Sequence, residues 1–522
     1  MALLARTCWL SLVLFLAGCG TLPPREPLPV SQALAPAETA TTRLARVAAA
    51  STPAQAQGQS GFRLLPTGEY AFDARAALAE AAERSIDAQY YHVHDDSAGV
   101  AFLRALRDAA RRGVRVRLLV DDYHAGEVFN LLIALNTEPG VEVRLFNPLV
   151  PRSGSPLTRL LLSWQEFDRA HRRMHNKLFV ADNAVAVFGG RNVADEYFWR
   201  HGKANFIDLD VVAVGPVVPA LSDSFDRYWN SELAWRADLL PGAGRGATYE
   251  RLLFEQRAAE VLLQFTVAPS DPLGQTPLRQ QLRAGVLQMR WGTATVHVDP
   301  PSKITDPVVL YQQTSAMRAQ LDVIAQARHE VIIVNPYFVP DEPGMRMMTE
   351  AVRNRVRGIV FTNSLGSTDE PLVHRAYARY RGDMLRLGMQ VYEFKPLQPA
   401  HGGDFGDFGT SIGRLHVKGT AVDRRWLLVG SVNLDGRSAV LNTELTINID
   451  CPPLVDDALS ALGREPWRTM YRVTLAEDGK ALQWRDIGED GRIEIFNSEP
   501  GDSAWQRGVH WFQSLFVDEV ML

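Results

Sequence analysis

Apolar positions along this chain change their period at regular intervals, and each change marks an element. RSIDAQYYHV (84–93) ends in β-forming residues and reads as a strand. In the SAGVAFLRALRDAARRG that follows, Val100, Leu103, Leu106, Ala109 and Ala110 recur at helical spacing. Gly113 ends that helix, and VRVRLLVDD (114–122) is a strand whose unbroken apolar stretch fits burial on both faces. VEVRLFNP (141–148) is another strand, and the strand–helix–strand rhythm predicts an α/β body.

The plan then repeats. HEVIIVNPYFV (329–339) is a strand, a helix over about 344–356 leads to RGIVFTNS (357–364), and EPLVHRAYARYRGDMLRLG (370–388) is an amphipathic helix. MQVYEFKP (389–396) is the counterpart of VEVRLFNP. The same element order with weak identity points to an internal duplication. Two such halves would pack face to face about a pseudo-twofold axis, with equivalent loops meeting at one shared cleft. The first half spans 61–240 and the second 306–522, the latter with a C-terminal extension. Residues 241–305, richer in Gly, Pro and Gln, read as a connecting segment or lid. Residues 19–60, rich in Pro, Ala, Thr, Gln and Ser without apolar periodicity, read as a flexible tether.

Composition narrows the class. At 522 residues two or three domains are expected, and 46% hydrophobic with 22% charged residues is globular. The net charge of −5 argues against coating nucleic acid by bulk electrostatics, so no nucleic-acid partner is expected. The three cysteines, Cys8, Cys19 and Cys451, form no disulfide framework and no metal cluster. The first 18 residues carry one cation, Arg6, and an apolar run from Trp9 to Ala17 that is too short to span a bilayer. They read as a signal peptide. Leu16-Ala17-Gly18-Cys19 resembles the lipobox of bacterial lipoproteins. That resemblance implies cleavage before Cys19, lipidation of its thiol, and a periplasm-facing lipoprotein in the cell envelope, on the inner or the outer membrane.

One pattern carries chemistry and occurs twice. His175-Asn-Lys177-Leu-Phe-Val-Ala-Asp182 precedes Gly189-Gly190-Arg191-Asn192, and His416-Val-Lys418-Gly-Thr-Ala-Val-Asp423 precedes Gly430-Ser431-Val432-Asn433. Lysine is rare, confined to positions 177, 203, 303, 395, 418 and 480, so a single HxK(x4)D would arise by chance in about one such chain per hundred. Two in matched contexts are far rarer. In extended backbone residues i and i+2 share a face, which puts each His beside its Lys. A phosphodiester there would meet an imidazole and an ammonium from each half, with Asn192 and Asn433 as neutral donors. That set of charges stabilises a pentacoordinate transition state without a metal or other cofactor. His171 and His175 are four apart, as in a helical zinc pair, but the second half has no counterpart of His171 and no metal is expected. His201, His374 and His401 read as structural or surface residues.

The paired motifs resemble the HKD signature of the phospholipase D superfamily. RMHNKLFVADN, DLDVVAVGPVV, TNSLGSTDEPLVHRAYARYR and GSVNLDGRSAVLNTEL are similar to bacterial cardiolipin synthases of the subgroup without N-terminal transmembrane helices. The resemblance implies two α/β sandwich halves with central mixed sheets. It also implies phosphatidyl transfer through a phosphohistidine, with His175 as nucleophile and His416 as general acid and base, an order the symmetric motifs do not prove. An acidic residue further along each half would set the imidazole tautomers. The matching positions are Asp208, with Asp210 as alternative, and Glu444, while Asp182 and Asp423 would brace the strand–turn geometry. The implied partners are phospholipids: phosphatidylglycerol, with phosphatidylethanolamine as a further candidate donor. Hydrolysis to phosphatidate is the alternative reaction; a nuclease or a non-catalytic lipoprotein is further off. Tyr197, Phe198, Trp199 and the aromatic C-terminal VHWFQSLFVDEVML read as core or as lipid-tail contacts.

Overall fold

The computed structural model describes residues 22, 25, 27–151, 154–163, 166–243, 247–261, 267–306, 315–396, 411–463, 469–488 and 491–501. The expected signal peptide with Cys19, His401, and the aromatic stretch 509–522 lie outside the described residues. Among the described residues no helix is long and apolar enough to cross a membrane.

Two mixed sheets are built on one plan. The first half supplies β1 (Ser60–Leu65), β2 (Ser85–Tyr90), β3 (Arg115–Asp121), β4 (Val141–Phe146), β5 (Leu178–Ala181), β6 (Val185–Gly189), β7 (Ala204–Ile207), β8 (Asp210–Val214) and β9 (Ala234–Arg236). The second supplies β10 (Arg290–Val298), β11 (Glu330–Val334), β12 (Arg357–Asn363), β13 (Gln390–Phe394), β14 (Ile412–Leu415), β15 (Gly419–Val422), β16 (Trp426–Gly430) and β17 (Leu445–Asp450). It then adds β18 (Met470–Leu475), β19 (Leu482–Ile487) and β20 (Ile493–Phe496). The first sheet runs β1-β8-β6-β5-β2-β3-β4-β9. The second runs β10-β17-β16-β15-β11-β12-β13-β18, position for position the same, and continues through β19 and β20. In each, the three strands joined by crossover helices are parallel and the rest antiparallel, as short hairpins require.

Apolar residues from the two sheets interdigitate. Phe62, Phe188 and Val211 of the first half share one core with Ile332, Leu427 and Ile447 of the second. Separate cores lie under the helices on the two outer faces. Central strands are thus buried on both sides, which is why their sequences run apolar without alternation.

Three expectations change. The stretch 241–305 is built into the body: Phe254 and Ala258 of the helix Ala247–Glu260 are buried in the first core. Its β10 pairs Arg290–Gly292 with β1 and Thr293–Val298 with β17, stitching the sheets together. The expected tether differs as well. The helix Arg43–Ser51 buries Leu44 and Val47, Arg117 donates to the Ser31 carbonyl at 2.9 Å, and β1 opens at Ser60. Third, the helix expected over 344–356 is Asp341–Arg353, with Pro343 in its first turn, where a missing N–H costs nothing.

Candidate active site

Each HxK segment begins where the chain meets extended backbone of the opposite half. The backbone N–H of His175 donates to the Thr443 carbonyl at 2.9 Å, and that of His416 to the Ile207 carbonyl at 2.7 Å. Met174 bridges in parallel to Thr443, and β14 pairs in parallel with β7. The residue following each acceptor is the acid. His175 Nδ1 therefore stands 3.0 Å from Glu444, and His416 Nδ1 2.6 Å from Asp208. Imidazole and carboxylate come from opposite halves in both pairs.

The two acids are held differently. Glu444 accepts from the hydroxyls of Ser431 and Ser438 as well as from His175. Burial pushes its proton affinity up, but His175, Lys177 and Ser431 outweigh this and leave it below the ordinary carboxyl value. On the other side Gly190 occupies the place of Ser431. A Cβ there would stand 2.2 Å from Asp208 Oδ1, so only glycine lets that carboxylate approach. Burial raises the Asp208 carboxyl, against the pull of Lys418 and Arg191. Asp210 faces elsewhere, paired with Arg75 at 2.9 Å.

Lys177 and Lys418 are buried beside their histidines. Lys177 Nζ donates to the His175 carbonyl at 2.7 Å and lies 5.3 Å from the Tyr91 ring centroid. Lys418 Nζ donates to the His416 carbonyl at 2.8 Å and lies 5.6 Å from the Tyr337 centroid. Burial, with Lys177 and Lys418 adding to it against Glu444, brings His175 down to about 4. Burial, then Lys418, holds His416 well below its ordinary value. Burial lowers Lys418 to about 8, despite Asp208 and Asp369, and lowers Lys177 as well. Four basic groups crowded into one buried place suppress one another's charge, and an anionic phosphodiester is the partner that relieves them.

Asn192 follows Gly190 as expected, but its amide is engaged: Oδ1 accepts from the His92 N–H at 3.2 Å and Nδ2 donates to the Tyr197 hydroxyl at 3.0 Å. Asn433 has a buried Oδ1 with no protein partner. Asp182 accepts the N–H groups of Glu83, Arg84 and Ser85, and Asp423 those of Arg328, His329 and Glu330. Both sit at positive φ. His171 stacks on Phe167 with 4.7 Å between centroids. His201 accepts from backbone N–H groups two and three residues on, and His374 pairs with Glu499. Phe198 is core, against Phe72 at 5.1 Å, whereas the Tyr197 ring lies 5.2 Å from that of His416. Among the described residues no group of three His, Cys, Asp or Glu could hold a metal ion.

Several site residues carry no motif in the sequence. Asp121, the last residue of β3, accepts from the Met174 N–H at 2.8 Å. Asn363, the last residue of β12, brackets Leu415 through both its donor and its acceptor, at 2.9 and 3.0 Å. Each fixes the residue before a motif histidine. Tyr91 packs edge-on to His175 at 5.2 Å, and His92 stacks on His124 at 4.4 Å. A usable signal existed for Asp121 and Asn363: both are polar residues ending the middle strand of a parallel trio, where α/β sheets place their sites.

A duplicated α/β sandwich with two crossed imidazole–carboxylate pairs and two buried lysines defines a phosphodiester-processing enzyme of the HKD type. The chain belongs to the family described as "Cardiolipin synthase, PLD-like domain", which matches residues 76–229 and 321–464, one segment in each half. It is 34% identical to cardiolipin synthase C of Escherichia coli (strain K12) over 91% of this chain and 100% of that protein. It is 27% identical to cardiolipin synthase A of Pseudomonas fluorescens over 76% of this chain and 67% of that one. Among solved structures, phosphatidylserine synthase of Haemophilus influenzae Rd KW20 covers 90% of this chain and 98% of its own, with a TM-score of 0.56 at 12% identity, a likeness of fold.

Proposed function

We propose that this enzyme is a cardiolipin synthase that condenses two phosphatidylglycerol molecules through a phosphohistidine. Glu444 accepts the Nδ1–H of His175, which leaves the Nε2 lone pair to attack phosphorus. His416 protonates the departing glycerol oxygen as the P–O bond breaks. It then takes the proton from a hydroxyl of the second phosphatidylglycerol, whose oxygen attacks phosphorus and releases His175. Two phosphatidylglycerols become one cardiolipin and one glycerol. The substrate's negative charge raises the proton affinity of His416 as it arrives, supplying the acid that burial otherwise disfavours. Lys177 and Lys418 hold the non-bridging oxygens with Asn433, and Asn192 orients the Tyr197 hydroxyl beside them. The observation that carries this reading is the crossed pairing of His175 with Glu444 and His416 with Asp208. The relation to cardiolipin synthase C supports the choice of substrate.

Lipid mass spectrometry on purified protein with phosphatidylglycerol vesicles, with and without phosphatidylethanolamine, tests it. Cardiolipin is expected, falling by about a thousandfold or more in His175→Ala and in His416→Ala. Phosphatidate in its place would mean a hydrolase, and unchanged product in both variants would end the histidine mechanism.

The membrane location belongs to the same proposal. Lipidation at Cys19 would hold the body on a bilayer at the periplasmic face, where both lipid substrates reside. Cys19→Ala is expected to move the protein from the membrane to the soluble fraction of the envelope. Retention on the membrane would reject the anchor.

A further inference from the structure

The near-identical plan of the halves makes one departure informative. In the first half, the helices Gly68–Ala81 and Ser97–Arg111 pack directly on each other, and Phe102 fills the space beside Tyr90 with 5.5 Å between ring centroids. Their counterparts in the second half, Ser315–Ala325 and Asp341–Arg353, stand apart across a cavity of about 440 Å³. That size lies within the roughly 300–1,000 Å³ common for small-ligand sites. Four of the chain's eleven methionines, Met317, Met347, Met348 and Met389, line it. Thioether side chains adapt to a flexible apolar occupant, unlike the branched and aromatic residues of the first half. Phe338, Val339, Leu434 and Asp435 also line it. Phe338 follows Tyr337, whose ring lies 6.1 Å from that of His416, and Leu434 follows Asn433. Asp435 is engaged in capping the helix Gly436–Val440 through the Ser438 N–H at 2.7 Å.

From this we infer that the cavity between these two helices receives one acyl chain of the phospholipid whose phosphate sits between the histidines, an inference that rests on the proposed phosphatidyl chemistry. Leu434 and Phe338, which line the cavity, are each next in sequence to a residue of the histidine site, Asn433 and Tyr337. Arg318, Asp322, Arg346 and Glu350 also border it, while the Met-rich part of the wall offers an extended chain contacts without demanding a fixed shape.

Phosphatidylglycerol carrying a diazirine at the end of one acyl chain, in mixed micelles with the full protein, reads occupancy without requiring turnover. Label is expected on peptides from 315–325 and 341–353, and the bulky Ala351→Trp, which fills the cavity, is expected to remove it. The same variant should raise KM for long-chain phosphatidylglycerol by about tenfold or more while leaving turnover of the dihexanoyl lipid unchanged, since losing the burial of only two methylenes, at severalfold each, already amounts to about tenfold. Wild-type protein that leaves both helices unlabelled overturns the inference. Labelled helices without cardiolipin would instead sink the synthase reading and keep the cavity assignment.

Discussion

In the proposed phosphohistidine mechanism a neutral imidazole attacks phosphorus and a charged ammonium holds its oxygens, so the two residue types would set opposite pH limits. His175, lowered to about 4 by burial and the neighbouring lysines, loses its lone pair only as pH falls through that value. Lys418, lowered to about 8, loses its charge as pH rises through that value. Because kcat/KM reports the free enzyme, its acid limb for phosphatidyl transfer is therefore expected near pH 4. Its first decline with rising pH is set by His416, the required acid, below the ordinary histidine value, and loss of the Lys418 charge adds a further fall above about pH 8. An acid limb at the ordinary histidine value, roughly 6.5, would contradict the burial of His175. Glu444→Gln keeps the shape but removes the charge that favours the imidazolium side of phosphohistidine. A loss of kcat by a factor on the order of 100 to 10,000 is expected, as when a buried acid beside a catalytic histidine is neutralised. The motif residues were legible because HxK spacing is a local property of extended chain. The choice between Asp208 and Asp210 was not, since it depends on Arg75, far away in sequence, taking Asp210. Tyr91, Tyr337 and the stacked His92 and His124 were hidden for the same reason: ring contacts across strands leave no local period.

Among the elements, the turns after β5 and β15 show what the motif aspartates contribute. Each carboxylate gathers three backbone N–H groups from the segment entering the neighbouring strand, β2 or β11, while its own backbone turns at positive φ. Removing the acceptor strands three donors at once. Asp182→Ala, at a fully buried position, is expected to lower unfolding stability by about 1–3 kcal/mol or more, and the more exposed Asp423→Ala by less. Denaturant titration of both variants measures the order, and equal losses would mean burial is irrelevant to these turns. The strands of both trios and three of their four crossover helices were readable from periodicity; the fourth, Asp122–Asn136 between β3 and β4, was not. The segment before β1 was not: in Arg43–Ser51 the alanines blur the apolar stripe, and only Leu44 and Val47 reach the core. The bridging strand β10 is likewise poor in large apolar residues, and its place is fixed by backbone pairing with β1 and β17, which composition does not reveal.

For the whole molecule, duplication within one chain decides where the site's parts come from. Histidine and acid of each pair belong to opposite halves, the two sheets share a core, and β10 runs through both sheets, so one chain contains the complete constellation. Separating the halves would expose the apolar residues of that shared core to water, a large cost that keeps them together. Two inactive variants should then be unable to repair each other. Mixing equal amounts of His175→Ala and His416→Ala protein, with or without a cycle of unfolding and refolding, is expected to give no more cardiolipin than either alone. Only exchange of halves between two chains could bring an unmutated His175 from one together with an unmutated His416 from the other. Recovery of about a quarter or more of wild-type product after refolding would show that halves exchange between chains, and β10 could then no longer be regarded as the stitch that confines both halves to one molecule.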